Sequence, residues 1–418
     1  MKILWVTAQV LPLVADDLNL PKLGFGGWIM NMLNQLEEID EIELGVAMVS
    51  TKIDKIFEKQ SGKIKCFVAP DEGNKSINNH YRDEIIKRFK PDIIHIEGNE
   101  FPIQNKFSNI KDIPTLVSLQ GILSGCEPYQ YGEIPIVDYL FSFKNKNIIS
   151  SWILYFRKHL LFDKRINLET QTIKNAKYLM GRTFWDRAHS YWINSTSKYY
   201  KCNRILRPSF YEQEWDGNDC QKYTIFIGNG YSPLKGLHFI LKAISLLKKE
   251  FPDVKVYVAG QCPIVKSKKL SFHKFGYSRY IRRIIENDNL GDNVFFTGVL
   301  QEHEMLDRMK KSNVYVLPSL IENSPNTLGE AMILGMPCIS AYTGGASEMA
   351  INEKECLFYR ANDFKLLAWQ IRRLFKDENM AKELGIKARK HAMNTHDPIT
   401  NRNALLDAYE DIIQSNRK

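Results

Sequence analysis

The chain has 418 residues, 44% apolar and 25% charged, and a net charge of +9. That composition excludes a disordered or fibrous polymer, and the length calls for more than one domain. No run of 18 apolar residues exists, which excludes a bilayer-spanning helix, and seven scattered cysteines without Cys-x-x-Cys fit reduced thiols rather than a zinc site.

In chain order, "MKILWVTAQV" reads as a first buried strand rather than a signal peptide. Gly24, Gly26 and Gly27 then precede an amphipathic helix, "GWIMNMLNQLEEI". The spacing Gly-x-Gly-Gly is not a dinucleotide fingerprint; it suits either a tight turn or a helix start facing an anion. Short apolar runs follow at "ELGVAMVS", "IKCFVA", "PDIIHIEG" and "TLVSLQG", with the helical pattern "NNHYRDEIIKRF" among them. His95 sits between apolar neighbours and reads as a core histidine. Gln120 and Gly121 close the last of these runs; glutamine does not titrate, so Gln120 can position but not act as a base. Residues 137–166 form a helical, aromatic and basic stretch. "NAKYLM" reads as a strand ending at Arg182, which suits either a ligand-facing role or a surface salt bridge.

The periodicity lapses over 207–222 and then resumes. The second half carries the strands "YTIFIGN", "VKVYVAG", "NVFFTGV", "VYVLPS", "PCISA" and "CLFYR", alternating with helices such as "GLHFILKAISLLKKEF" and "FKLLAWQIRRLFKD". Strand–helix alternation in both halves predicts an α/β protein of two doubly wound parallel sheets. The chain ends in the helical pattern "ITNRNALLDAYEDIIQSN". From Lys222 to Arg283 there are thirteen Lys/Arg against Glu250 and Asp253, a surplus of +11 that exceeds the whole chain's +9. Such a field points to an anionic ligand or surface; no nucleic-acid motif accompanies it, and no nucleic-acid partner is expected.

Two loops in this half can carry chemistry. "FIGNGYSPLKGLHF" runs strand–loop–helix with Asn229 and Lys235; it is not a Walker A motif, and Lys235 is either a solvated lysine or a phosphate contact. "SLIENSPNTLGEAM" follows another strand and opens a helix at Asn326, Thr327 and Leu328. An exposed helix start attracts phosphate, and Glu330, one turn in, can accept from a ribose diol. Glu322 can face the group beyond the phosphate. Alternatively, Asn326 caps the helix and Glu330 merely complements its dipole.

Together, "LPSLIENSPNTLGEAMILGMPCISAYTGGASEMA", Lys235-Gly236 and Gly344-Gly345 resemble the signature of the family-four (group 1) retaining glycosyltransferases, enzymes of the GT-B fold. The resemblance is strong over 222–395 and looser before it, at Gly26, Gly27, "KPDIIHIEG" and "GRTFWD". It implies two Rossmann-like domains facing a central cleft: 1–210 on the acceptor side, 216–396 on the donor side, and a helix over 397–418 returning to the first. It implies that Glu330 grips the ribose and that Glu322 lies near the donor sugar. Lys235 and the backbone at Asn326, Thr327 and Leu328 would hold the diphosphate, and Gly26-Gly27 would close on it as the domains close. Arg is common in the family where Asn229 and Gly230 stand, which shifts diphosphate charge to Lys235 or Arg182; His is common where Gln120 stands. The implied catalytic pair is Glu322 and Lys235, with no metal and no cofactor.

The implied function is transfer of a hexosyl-type sugar from a UDP- or GDP-sugar, with retention, to a glycan that is expected to be lipid-linked, in surface polysaccharide synthesis. Rival readings are an epimerase or phosphorylase on the same fold, or a non-catalytic binder of sugar nucleotides. The expected place is the cytoplasm, with peripheral association at the inner membrane face through 137–166 and 266–283, whose Lys/Arg stand beside aromatics such as Phe141, Phe143, Trp152, Tyr155 and Phe156.

Overall fold

The computed structural model describes residues 1–20, 27–135, 148–264 and 272–417; for 148–158 and 272–275 it describes the backbone only. Gly24, Gly26, Phe141, Phe143 and the side chains of Trp152, Tyr155 and Phe156 lie outside the described residues, as does 266–271. Two compact units emerge. One comprises 1–125, 162–206 and 396–418; the other comprises 126–161 and 207–395. The sequence expectation ran the first domain unbroken to 210, whereas 126–161 belongs with the second unit. Gly132 and Ile134 show why. A Cβ on Gly132, whose φ is +67°, would meet the Pro233 carbonyl oxygen at 2.7 Å, and Ile134 is 5% exposed within the second core.

The first unit holds an eight-stranded sheet of β1 (Lys2–Thr7), β2 (Glu43–Ser50), β3 (Phe57–Ser61), β4 (Ile64–Pro70), β5 (Ile93–Glu97), β6 (Thr115–Ser118), β7 (Tyr178–Gly181) and β8 (Lys198–Lys201). Their order is β3-β4-β2-β1-β5-β6-β7-β8, parallel except for the β3–β4 pair. Strand alternation divides β1 between two cores. Ile3 and Trp5 pack on one face with Leu405, Tyr409 and Ile412 of the terminal helix Pro398–Arg417; Leu4 and Val6 pack on the other with Ile94, Ile96 and Phe107. β3 and β8 escape sequence reading because both are short edge strands, "FEKQS" and "KYYK", whose residues are mostly polar or half-exposed.

The second unit holds six parallel strands: β9 (Gln221–Ile227), β10 (Lys255–Ala259), β11 (Val294–Gly298), β12 (Ser312–Leu317), β13 (Cys338–Tyr342) and β14 (Leu357–Arg360). All six correspond to the apolar runs read from sequence. Their order is β11-β10-β9-β12-β13-β14, so the winding direction reverses between β9 and β12. Helix Leu237–Leu247 shows eight buried residues in eleven, because it packs against both the sheet and helix Phe364–Lys376. No described helix is long and apolar enough to cross a membrane.

Candidate functional site

In an open parallel sheet the loops at the carboxyl ends of the two strands flanking the reversal diverge and leave a ligand crevice. In the second unit those loops follow β9 and β12, and they hold Asn229 and Lys235 on one side and Glu322, Asn326, Thr327 and Leu328 on the other. The structure brings the two loops into contact. A Cβ on Gly228 would lie 3.0 Å from Thr327 side-chain atoms, and one on Gly236 would lie 1.9 Å from the Pro318 carbonyl oxygen. Gly236 also has φ +72°, a conformation glycine adopts without strain. Leu320 N donates to Leu234 O at 2.9 Å, tying the loops through the main chain.

Lys235 Nζ donates to Glu322 Oε1, and Ser319 Oγ donates to the same oxygen at 2.8 Å. Both side chains are partly buried, 28% and 14% exposed. The backbone of Glu322 is fixed from behind: its carbonyl oxygen accepts from Gly345 N at 3.0 Å, and a Cβ on Gly344 would meet that oxygen at 2.1 Å. The Gly344-Gly345 pair therefore makes room for the Glu322 loop.

Helix Asn326–Ile333 starts after Pro325, which supplies no side-chain cap. This corrects the capping alternative: Asn326 is the first helical residue, not the cap. Thr327 Oγ1 shares a hydrogen bond of 2.8 Å with the buried Tyr315 hydroxyl, while Leu328 is buried and its N–H turns back to Pro325 O at 3.1 Å. Asn229 Oδ1 accepts from Tyr231 N at 2.9 Å, closing a turn within its own loop.

Glu330 is 3% exposed and is held by a residue that sequence reasoning missed. Arg207 donates Nε to Oε1 at 2.7 Å and Nη2 to Oε2 at 2.6 Å, a bidentate pair. Burial lifts the Glu330 carboxyl above its ordinary range, although Arg207 pulls against that rise. Glu330 is thus more than a complement to the helix dipole. The available signal was "RPSF", an arginine just before a proline at a domain boundary, which by itself has no spacing to identify it.

The remaining expected residues lie in the first unit. Gly27 opens helix Gly27–Glu37, and among the described residues nothing lies within 4 Å of where a Cβ would stand. Arg182 follows the last residue of β7 and is 4% exposed. Its Nη2 donates to the carbonyl oxygens of Leu119 and Gln120 at 2.7 and 3.0 Å, so the surface salt bridge is not what forms. His95 is buried, stacks on Trp5 at 4.1 Å and hydrogen-bonds the Tyr409 hydroxyl through Nδ1 at 2.5 Å.

The model of the family "Glycosyl transferases group 1" matches residues 210–391. The capsular polysaccharide biosynthesis glycosyltransferase CapM of Staphylococcus aureus is 25% identical over 162 residues, 38% of each chain. The uncharacterized glycosyltransferase YqgM of Bacillus subtilis is 25% identical over 194 residues, 46% of this chain and 50% of that one. The chain thus matches half or less of the length of these curated relatives. Among solved structures, sucrose-phosphate synthase from Thermosynechococcus elongatus aligns over 99% of this chain and all of its own, with a TM-score of 0.75 at 14% identity. Anabaena Alr3699/HepE in complex with UDP-glucose aligns over 98% of this chain and all of its own, with a TM-score of 0.65 at 14% identity. The fold is GT-B, two Rossmann-like units with largely parallel sheets, and the stretch 210–391, less than half of the chain, is similar to the group 1 glycosyl transferases.

Proposed function

We propose that the protein transfers a sugar from a nucleoside-diphosphate sugar to a glycan acceptor, with retention at the anomeric carbon, in the building of a surface polysaccharide. The observation that carries this reading is the convergence, at the reversal point of the second sheet, of Lys235, Glu322 and the uncapped helix start at Asn326, all within the stretch the family model matches. Glu330 would take the ribose hydroxyls on lone pairs that Arg207 leaves available, since each carboxylate oxygen accepts more than one bond. Lys235 and the amides at Asn326 and Thr327 would hold the diphosphate.

In the reaction the bond between the sugar's anomeric carbon and the diphosphate oxygen breaks while the acceptor oxygen bonds to that carbon from the same face. The acceptor's proton passes to the leaving phosphate oxygen. No protein base is required, and the protein contributes position and stabilisation of charge on the leaving diphosphate. Glu322 shares Lys235 with that diphosphate and would accept from a donor-sugar hydroxyl. UDP is the first nucleotide to test, because HepE was solved with UDP-glucose. A surface-polysaccharide acceptor fits the similarity to CapM, a capsular polysaccharide biosynthesis glycosyltransferase; the proposed acceptor is a lipid-linked form of such a glycan. The test is a thermal-shift screen of UDP- and GDP-sugars, followed by NMR assignment of the product's anomeric configuration. A donor should raise the melting temperature, because it binds only the native state; if no nucleotide sugar does so, the proposal fails.

A further inference from the structure

The first unit has its own crevice at a reversal of strand order. β1 lies between β2 and β5, so the sheet changes direction there. At the carboxyl ends nearby, Glu97 is the last residue of β5, Ser118 the last of β6, and Arg182 follows β7. These residues, with Trp28, His95 and Arg204, line a cavity of about 30 Å3. That is room for roughly two water-sized atoms.

The lining holds more donors than acceptors. Glu97 is 4% exposed, and its Oε1 accepts from Trp28 Nε1 at 3.0 Å and Gln120 Nε2 at 3.3 Å. Arg204 Nη2 and His95 Nε2 each stand 3.5 Å from its carboxylate. Burial works against the Glu97 charge, but His95, Arg204 and Arg182 outweigh it and hold the carboxyl at about 2. Glu97 is therefore ionised and already crowded with donors. The other nearby carboxylate, Asp186, accepts from Arg182 N at 2.9 Å and the Tyr199 hydroxyl at 2.5 Å. What is left, among the described residues, is a set of buried N–H groups without a hydrogen-bond partner: Arg204 Nε and Nη2, and Arg182 Nε. Arg204 lies over Trp28 at 4.2 Å, and burial, reinforced by Arg182, brings its pKa down to about 9. Glu97 balances the charge of Arg204 from 3.5 Å but leaves these N–H groups without a hydrogen bond, and buried N–H groups of a guanidinium are costly unless an acceptor meets them. A water molecule would accept a hydrogen bond but bring no charge.

We propose that this pocket receives the carboxylate of an acidic sugar, so that the acceptor is an acidic glycan. The inference rests on the transferase reading for its biological sense, not for its geometry. Two oxygens fit the cavity and match the fork of a guanidinium; the four oxygens of a phosphate need more room. Arg204 supplies the recognising fork, Trp28 its stacking platform, and Glu97 the charge that keeps Arg204 in place.

The experiment compares methyl glucuronoside with methyl glucoside on the full chain, by saturation-transfer NMR and titration of tryptophan fluorescence. The glucuronoside should bind at least tenfold tighter than the glucoside, and Arg204→Gln should abolish that preference. If Arg204→Gln does not fold, as judged by circular dichroism, Arg182→Lys and Arg204→Lys serve instead, each expected to reduce the preference. Equal binding of the two sugars, or an unchanged preference in folded variants, overturns the proposal. So does inorganic phosphate that binds more tightly than the glucuronoside and displaces it. UDP-sugar binding is measured in the same samples. Donor binding without a glucuronoside preference defeats this inference alone; the preference without donor binding defeats the transferase reading alone.

Discussion

Arg207 holds Glu330 through both carboxylate oxygens in a setting where each is largely buried. Removing either partner strands the other. Glu330→Ala should destabilise the chain by about 3–5 kcal/mol, the usual cost of breaking a buried pair. It should also weaken donor binding by about 1.5–3 kcal/mol, the worth of a charge-assisted bond to a ribose hydroxyl. Arg207→Ala should show the same stability loss, because it leaves the carboxylate buried alone. Urea unfolding and calorimetric donor titration check both; unchanged donor affinity in Glu330→Ala would count against the ribose role. Lys235 stands differently. Its ion pair with Glu322 is part-exposed and contributes little to stability. Lys235→Ala should therefore leave folding nearly intact while lowering kcat more than donor affinity, since negative charge grows on the leaving diphosphate only in the transition state. An equal rate at saturating donor would refute that.

At the scale of elements, the crevice proposed for the donor depends on the two loops after β9 and β12 lying in contact. Gly236 makes that contact, with a left-handed φ and the Pro318 carbonyl oxygen where a Cβ would be. Gly236→Ala should cost on the order of 1–3 kcal/mol and move the Glu322 loop, so donor affinity falls together with stability. A stable Gly236→Ala with normal donor binding would contradict this account. In the first unit, Leu123 and Ser124, which open the short helix Leu123–Cys126, are anchored by Glu169, which accepts from Leu123 N at 2.7 Å and Ser124 N at 3.1 Å. Burial nonetheless raises the Glu169 carboxyl to about 7, against 4.5 ordinarily. The folded state therefore binds more protons than the unfolded state between those values, and stability falls as pH rises from about 4.5 to about 7. The loss amounts to about 3 kcal/mol at most, at 1.36 kcal/mol per tenfold in proton affinity. Glu97, whose pKa is lowered to about 2, acts below that window. Urea unfolding at pH 5 and pH 7.5 measures the slope, and Glu169→Gln should reduce it, leaving the part that the raised Glu330 carboxyl contributes.

For the whole molecule, separate cores in the two units mean that a donor bound in the second protects that unit directly. At about a hundredfold over Kd it should add about 2.7 kcal/mol of protection to hydrogen exchange in β9 and β12; protection confined to the first unit would place the donor elsewhere. The sequence by itself determined the doubly wound class, since apolar runs alternating with amphipathic helices have few other ways to bury their faces. It located all six strands of the second sheet and the Glu322–Glu330 stretch, because buried parallel strands are continuously apolar and the loop and helix that follow β12 are local in the chain. Edge strands β3 and β8 had no such signal, being polar or half-exposed. Only the tertiary structure decided that 126–161 joins the second unit, that Arg207 reaches Glu330 across 123 positions, and that Lys235 reaches Glu322 across 87. The same holds for the meeting of Glu97 with Arg204. Pairs so distant leave no periodicity in the chain: each charge is ordinary in its own segment, and its partner is set by which strand ends the sheet order places side by side.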